Sequence, residues 1–379
     1  MFNVIILGLT SFFTDISSEM IYPLIPFFLT TTLGASPAVL GLIEGVAESA
    51  ASLLKVVSGY ISDKFRNRRV LAISGYSSSA IGKFLLYAAN SWGIVFGARV
   101  VDRLGKGIRT APRDALIADS TDEKKRGMAF GLHRTLDTTG AAIGVVLAYF
   151  FLTRYGGEYS HVFLWSLVPA GIGVVLLFFA REKKTKLSAR KPPPLKWKVL
   201  PRKLQLFLVV AFVFTLGNSS NTFLLLRSQN VGFTPASAIL LYLVYNIVYG
   251  LVSYPAGRLS DRFGRKRLLV SGYLFYGLVY LGFAVVTGAD RAWLMWVLFG
   301  MYGLYSGFTE GVEKALIADL APSEIRATAI GLHATILGIG LFPASLVAGE
   351  LWQHIGPSAA FYFGAGTGVV AAVGLLFTL

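Results

Sequence analysis

The chain contains no cysteine. Disulfides, thiolate metal ligands and cysteine nucleophiles are therefore excluded, and the redox compartment is left open. Charge is scarce too, at 15% Asp, Glu, Lys and Arg, where soluble domains carry about 25%. Three chemical signatures are missing: the Gly-x-x-x-x-Gly-Lys-(Ser/Thr) nucleotide loop, the Gly-x-Ser-x-Gly nucleophile elbow and the His-Glu-x-x-His zinc pair. A primary pump and a membrane-embedded enzyme lose their usual footing with them. A transporter-like sensor usually needs an appended signalling domain and is the less expected class. Histidines are few, at 133, 161, 333 and 354. No metal site is assigned to them, and a packing or gating role is expected for His133 and His333.

What is present is apolar. The chain is 54% hydrophobic with a mean hydropathy of +0.62. A membrane-spanning helix needs about 20 apolar residues. Twelve windows qualify: 4–29, 37–62, 69–90, 92–119, 126–153, 160–180, 204–228, 235–260, 268–287, 292–319, 325–353 and 358–379. They are long and continuously apolar rather than short and alternating, which selects helices over a β-barrel. The expected fold class is all-α integral membrane, with 12 transmembrane helices in two six-helix bundles. Those bundles occupy 1–180 and 204–379, joined by a basic linker at 181–203 that carries Pro192-Pro-Pro194.

The net charge of +15 raises the question of nucleic acid, but its placement answers otherwise. Ten of the basic residues lie in Arg181–Lys203, and others gather between spans 2 and 3, 4 and 5, and 8 and 9. The opposite loops carry only Arg154 and Arg291. This asymmetry predicts cytoplasmic termini in a plasma membrane, with the lipid bilayer as a partner and no nucleic acid. The start, Met1-Phe-Asn-Val, lacks a basic n-region, so no cleaved signal peptide is expected.

Two internal echoes organise the chain. Gly59-Tyr-Ile-Ser-Asp63-Lys-Phe-Arg-Asn-Arg-Arg69 recurs as Gly257-Arg-Leu-Ser-Asp261-Arg-Phe-Gly-Arg-Lys-Arg267. Ala115-Leu-Ile-Ala-Asp119, Arg126 and Gly131-Leu-His133 recur as Ala315-Leu-Ile-Ala-Asp319, Arg326 and Gly331-Leu-His333. Such self-similarity marks two homologous halves, a transporter pattern in an apolar chain.

On these residues the chain resembles the major facilitator superfamily. The doubled Gly-x-x-x-Asp-(Arg/Lys) loop carries the likeness, which covers essentially the whole sequence. Asp15-Ile-Ser-Ser-Glu19-Met-Ile-Tyr-Pro23 and Arg103-Leu-Gly-Lys-Gly-Ile-Arg109 resemble a prokaryotic branch with some nickel- or siderophore-export members. The resemblance implies a monomer working by alternating access, with a central cavity lined by spans 1, 4, 7 and 10. It implies no cofactor beyond the proton gradient. Gly131, Gly140 and Gly144 reproduce the glycine spacing of a drug-antiporter motif, although Val145 stands where that motif has proline. From these follows an expected export of a small organic, anionic solute. The alternatives are metal or metal-chelate efflux and proton-symport uptake.

Gly59 and Gly257 would let a helix approach closely, and Asp63 and Asp261 would face helix N-termini. With Arg69, Asp119, Arg126, Arg267, Asp319 and Arg326 they form the expected cytoplasmic gate. Charges inside the spans need a second account, since each costs at least ~2.5 kcal/mol near the bilayer centre. Span 4 places Arg99, Asp102, Arg103, Lys106, Arg109 and Arg113 near one stripe. Spans of the first half hold eight bases against seven acids, so most are expected to be paired. Asp15 and Glu19 opposite Arg103, Lys106 or Arg109 are the preferred proton-coupling groups, followed by Asp137, Glu48 and Glu310. Arg103, Lys106, Arg109 and Arg113, with Asn218, Asn221 and Glu313 of the second half, are the expected substrate contacts.

Overall fold

The computed structural model describes residues 2–65, 67–122, 125–182, 197, 200–322 and 325–378. The side chains of 63–65, 126–127, 289 and 327–328 also lie outside the described set. Most of the expected linker, together with the gate side chains Asp63 and Arg126, therefore falls outside the described residues.

Long apolar segments have one low-energy solution in lipid, the helix, because every backbone N–H and C=O must be satisfied internally. The described residues follow it and contain no strand. The helices are α1 (Phe2–Thr32), α2 (Pro37–Phe65), α3 (Arg68–Tyr87), α4 (Trp92–Asp119), α5 (Arg126–Arg154) and α6 (Tyr159–Leu177). The second set is α7 (Arg202–Asn230), α8 (Pro235–Phe263), α9 (Arg265–Val285), α10 (Leu294–Leu320), α11 (Arg326–His354) and α12 (Pro357–Thr378). Each begins and ends within a few residues of its expected window.

Among the described residues, eight of the twelve are long and apolar enough to cross a membrane on composition alone. The other four are α2, α3, α4 and α10. They carry most of the intramembrane charge, and they must bury it against protein or water rather than lipid.

The chain divides into two units. The first comprises Met1–Ala35 and Val46–Ser188, the second Ser36–Gly45 and Ala189–Leu379. Within the first, α1 packs on α5 and α6, and α3 on α4 and α6. Within the second, α7 packs on α11 and α12, and α9 on α10 and α12. The same pairings recur at equivalent places, so the sequence repeat is also a packing repeat.

Two helices are interrupted. In α1 the turn Tyr22–Leu24 is 3₁₀, set off by Pro23, and a π turn follows at Phe28–Thr32. In α7 the helix stops at Gly217 and restarts at Thr222, leaving Asn218–Asn221 non-helical. Backbone freed in this way at membrane depth survives only where protein or a polar cavity satisfies it. Here Tyr276 donates its hydroxyl to Gly217 O at 2.8 Å.

Candidate functional site

The charged stripe of α4 can stay inside the membrane because α3 brings it partners at very short range. A Cβ on Gly105 would fall 2.5 Å from Gly75 O, and one on Gly82 would fall 2.7 Å from Ala98 O. With bare backbones in contact, Ser79 Oγ donates to Asp102 O at 3.0 Å and Arg109 Nη1 reaches Ser79 Oγ. The Arg109 guanidinium then lies 4.4 Å from the centre of the Tyr76 ring. On the other flank Ser58 of α2 donates to Gly107 O at 2.9 Å.

These contacts open a cleft in the first unit between α1, α3 and α4, with about 560 Å³ of empty space counting its mouth. Five bases line it: Lys83, Arg99, Arg103, Lys106 and Arg109. Three acids face them: Asp15, Glu19 and Asp102. Some of this charge is paired. Arg103 Nε lies 2.9 Å from Glu48 Oε1, Arg99 Nη1 lies 3.7 Å from Asp102 Oδ2, and Lys83 Nζ donates to Thr14 O at 3.3 Å. Tyr22, at the 3₁₀ turn of α1, has Arg99 and Arg103 each 5.8 Å from its ring centre. The cleft thus keeps more positive than negative charge, and an aromatic face sits beside two guanidinium groups.

The opposite edge of α1 meets α5 along a second glycine seam. A Cβ on Gly140 would lie 2.4 Å from Phe12 O, and one on Gly144 would lie 2.5 Å from Ile16 O. Close helix packing therefore accounts for these two glycines of the antiporter-like spacing, while Gly131 faces open space. Within this seam Asp15 and Asp137 lie close enough for each to feel the other's charge. Arg134 flanks Asp137 at 3.5 Å.

Of the residues expected on the stripe, Arg113 alone leaves the cleft. It pairs with Asp114 at 2.9 Å and donates to Ser11 Oγ at 3.1 Å. Asn218 and Asn221 belong to the second unit and line the break in α7. Tyr302 Oη donates to Asn221 Oδ1 at 2.9 Å and to Asn218 Oδ1 at 3.3 Å. Glu310 is exposed and accepts from Tyr249 at 2.7 Å. Glu313 is buried and accepts from Tyr273 at 2.9 Å. Glu44, also in the second unit, is fully buried and accepts from Ser220 at 3.3 Å.

Of the gate residues, the described aspartates pair with arginines of the repeated basic clusters. Asp119 pairs with Arg68, and Asp319 pairs with Arg265 at 2.5 Å, which also sits 3.5 Å from Asp261. Arg69 donates to Phe178 O at 2.6 Å, while Arg267 and Arg326 are exposed. A Cβ on Gly59 would meet Ala111 at an ordinary 3.5 Å, and Gly257 has open space around it.

Three features escaped the sequence reading. Lys83 joins the cleft, and its signal was a stripe of small residues one face wide, Gly75, Ser79 and Gly82, ending on a lysine. Tyr22 was hidden because a 3₁₀ turn changes the helical phase. The third is a run of packed tyrosines in the second unit, with Tyr245 stacked on Tyr302 at 5.2 Å and Tyr276 tilted against Tyr305 at 4.9 Å and Tyr280 at 4.1 Å. Tyr242, Tyr245 and Tyr249, like Tyr273, Tyr276 and Tyr280, repeat at helical spacing. Among the described residues no group of three or more His, Asp and Glu is placed to hold a metal ion.

Comparison with known proteins places this geometry in context. Residues 7–226 and 206–379 match the Major Facilitator Superfamily. An uncharacterised MFS-type transporter of Methanocaldococcus jannaschii is 38% identical over 383 residues, covering 99% of this chain and 94% of that protein. The multidrug resistance protein MdtH of Yersinia enterocolitica is 24% identical over 88% of this chain and 82% of its own length. Among solved structures, the nucleoside transporter NupG superposes with a TM-score of 0.83 at 15% identity, over 100% of this chain and 99% of its own. A D-xylose–proton symporter superposes with a TM-score of 0.79 at 16% identity, over 99% and 97%.

Proposed function

The chain belongs to the major facilitator superfamily, and from that premise we propose that it is a proton-coupled transporter of a small organic anion. As a multi-pass secondary transporter it is not an enzyme. The observation that carries the finer reading is the cleft, where five basic side chains face three acidic ones. A buried excess of cations in low dielectric calls for an anion, and guanidinium forks suit a carboxylate or phosphate. The lack of any group of three His, Asp or Glu among the described residues weighs against a divalent cation as cargo.

Coupling follows from the same charges. Asp15 lies close enough to Lys106 and Arg109 to feel both charges. A proton on the acid cluster frees those bases for the solute, so proton and anion favour each other's binding. Ligands that bind together travel together, which supports carriage of both in one direction. Export is the second reading, and the observation that favours it is the likeness to multidrug resistance proteins of the MdtH type. The Lys/Arg asymmetry supports cytoplasmic termini in a plasma membrane. A monomer operating by alternating access is part of the proposal.

A thermal-shift screen of the purified protein at about pH 5.5 and about pH 7.5 tests it, with organic anions, phosphorylated metabolites, divalent metals, metal chelates and cationic drugs. Stabilisation by organic anions, stronger at the lower pH and lost in Arg109→Ala, is expected. Stabilisation by nickel or cobalt alone, lost with Asp15→Asn or Glu19→Gln, would replace the anion by a metal.

A further inference from the structure

The repeat that relates the two halves also relates two buried polar clusters. Gly75-Tyr76 recurs as Gly272-Tyr273, Arg113 corresponds to Glu313, and His133 corresponds to His333. In the first unit the three side chains converge on Ser11 Oγ. Tyr76 Oη and His133 Nε2 each lie 3.0 Å from it, and Arg113 Nη1 donates to it at 3.1 Å. In the second unit the contacts are direct. Tyr273 Oη donates to Glu313 Oε1 at 2.9 Å, and His333 Nε2 lies 3.4 Å from Glu313 Oε2. Tyrosine and histidine are retained in both clusters, and the central cation of one is a carboxyl group in the other.

That exchange changes what the cluster can hold. Arg113 keeps its charge under all physiological conditions. Glu313 is 8% exposed and His333 is 3% exposed. Phe207 stacks over the imidazole at 5.9 Å and Phe214 over the Tyr273 ring at 4.0 Å. The titratable groups facing Glu313 are Tyr273 on α9, Tyr305 on α10 and His333 on α11. Glu310 and Lys314, on the same helix as Glu313, are exposed. Among the described residues His333 is the one basic side chain within ion-pair distance of Glu313. A carboxylate buried this deeply needs its charge cancelled. Oε1 accepts from the tyrosine hydroxyl, while Nε2 has no hydrogen-bond partner and stands 3.4 Å from Oε2, so a proton taken up by the pair is the group left to cancel the charge and close that contact.

We propose that Glu313, His333 and Tyr273 form a proton-binding site of the second half, in which carboxyl and imidazole share one proton. Arg113 has silenced the corresponding site of the first half. Glu313 thereby moves from the expected substrate contacts to proton binding, and His333 gains a role beyond packing. The cluster ties α9, α10 and α11 together, so water admitted between α10 and α11 would solvate the carboxylate and free the proton. Its part in transport rests on the proton-coupled reading above, whereas its existence does not.

The full-length protein in lipid nanodiscs supplies the test, by nitrogen-15 NMR of labelled histidines and infrared spectroscopy of carboxyl groups at about pH 7. The expected wild-type result is one protonated partner, either an imidazolium at His333 or a neutral carboxyl at Glu313. Glu313→Gln should leave His333 neutral, His333→Gln should leave Glu313 as a neutral carboxyl, and Glu310→Gln should change neither signal. An ionised Glu313 beside a neutral His333 overturns the proposal. So does an imidazolium at His333 that persists in Glu313→Gln. If His333→Gln fails to fold, its resonance is assigned by elimination with His133→Gln, His161→Gln and His354→Gln, and the wild-type spectrum decides. Neither measurement uses a substrate, so a failure of the anion reading leaves the outcome standing.

Discussion

Arg103 Nε and Glu48 Oε1 lie 2.9 Å apart and join α4 to α2 beside the cleft, with side chains 9% and 28% exposed. A pair so placed is worth more than an open surface pair and less than a dry one. Glu48→Gln removes the carboxylate while leaving the guanidinium in place. It is expected to cost about 1–2 kcal/mol of stability, read as a lower melting temperature. The same substitution raises the cation excess, so an anionic probe that stabilises the wild type should bind the variant several-fold more tightly. Weaker anion binding in Glu48→Gln would detach Arg103 from the anion site.

Asp15 and Asp137 give a second prediction. Two carboxyl groups close enough to feel each other's charge attract only when one of them carries a proton, because two ionised carboxylates repel and neither can donate. An amide stands in for the protonated partner without adding charge or volume. Asp137→Asn should therefore fold with stability within about 1 kcal/mol of wild type. It should nonetheless lose proton movement coupled to the anion, followed with a pH dye inside proteoliposomes. Full proton coupling in both Asp137→Asn and Asp15→Asn would exclude the pair from the coupling path.

How much of this is legible in the sequence depends on the kind of information each feature needs. The twelve spans and the two halves are legible because hydropathy and repetition are properties of the sequence itself. The α4 stripe is legible because helical spacing fixes a face, and Arg99, Asp102, Arg103, Lys106 and Arg109 do share one cleft. Partners are less so. Arg68 and Arg265 take Asp119 and Asp319, but the sequence offers a cluster of bases at each helix start and does not single out which one, since neighbouring residues there differ by about 100° in direction. Arg113 sits on the right stripe but one turn further along, where Ser11 and Asp114 claim it. The break at Asn218–Asn221 and the contact between Glu44 and Ser220 depend on tertiary packing that no periodicity reports.

The α3–α4 crossing makes the cleft possible, and it tolerates no side chain. A Cβ on Gly105 would lie 2.5 Å from Gly75 O and 2.8 Å from Ser79 N. Both neighbours are backbone, so neither can swing aside. Gly105→Ala should cost about 1–3 kcal/mol through overpacking, and Gly105→Val should cost more. The displacement also moves Ser79 off Arg109, so anion stabilisation should fall along with the melting temperature. A Cβ on Gly93 would have nothing within 4 Å, and Gly93→Ala serves as the control with unchanged melting and binding.

Arg227 tests whether every intramembrane cation here is functional. It is 2% exposed, and backbone carbonyls rather than a carboxylate receive its charge. Its guanidinium donates to Phe283 O at 2.9 Å, Ala284 O at 3.1 Å and Val286 O at 2.8 Å, with Asn230 and Ser358 on its remaining face. Those carbonyls belong to the C-terminal end of α9, where orphan acceptors and the negative end of the helix dipole favour a cation. Lysine can supply the charge but not the planar fork. Arg227→Lys should therefore lower stability by about 1–3 kcal/mol, and Arg227→Ala by more, since several buried carbonyls lose their donors. Because Arg227 is not among the cleft residues, anion affinity of the folded protein should stay within about twofold of wild type, well under the tenfold that 1.4 kcal/mol of binding energy represents. A large loss of affinity in Arg227→Lys, with the melting temperature intact, would move this residue from the scaffold to the transport machinery.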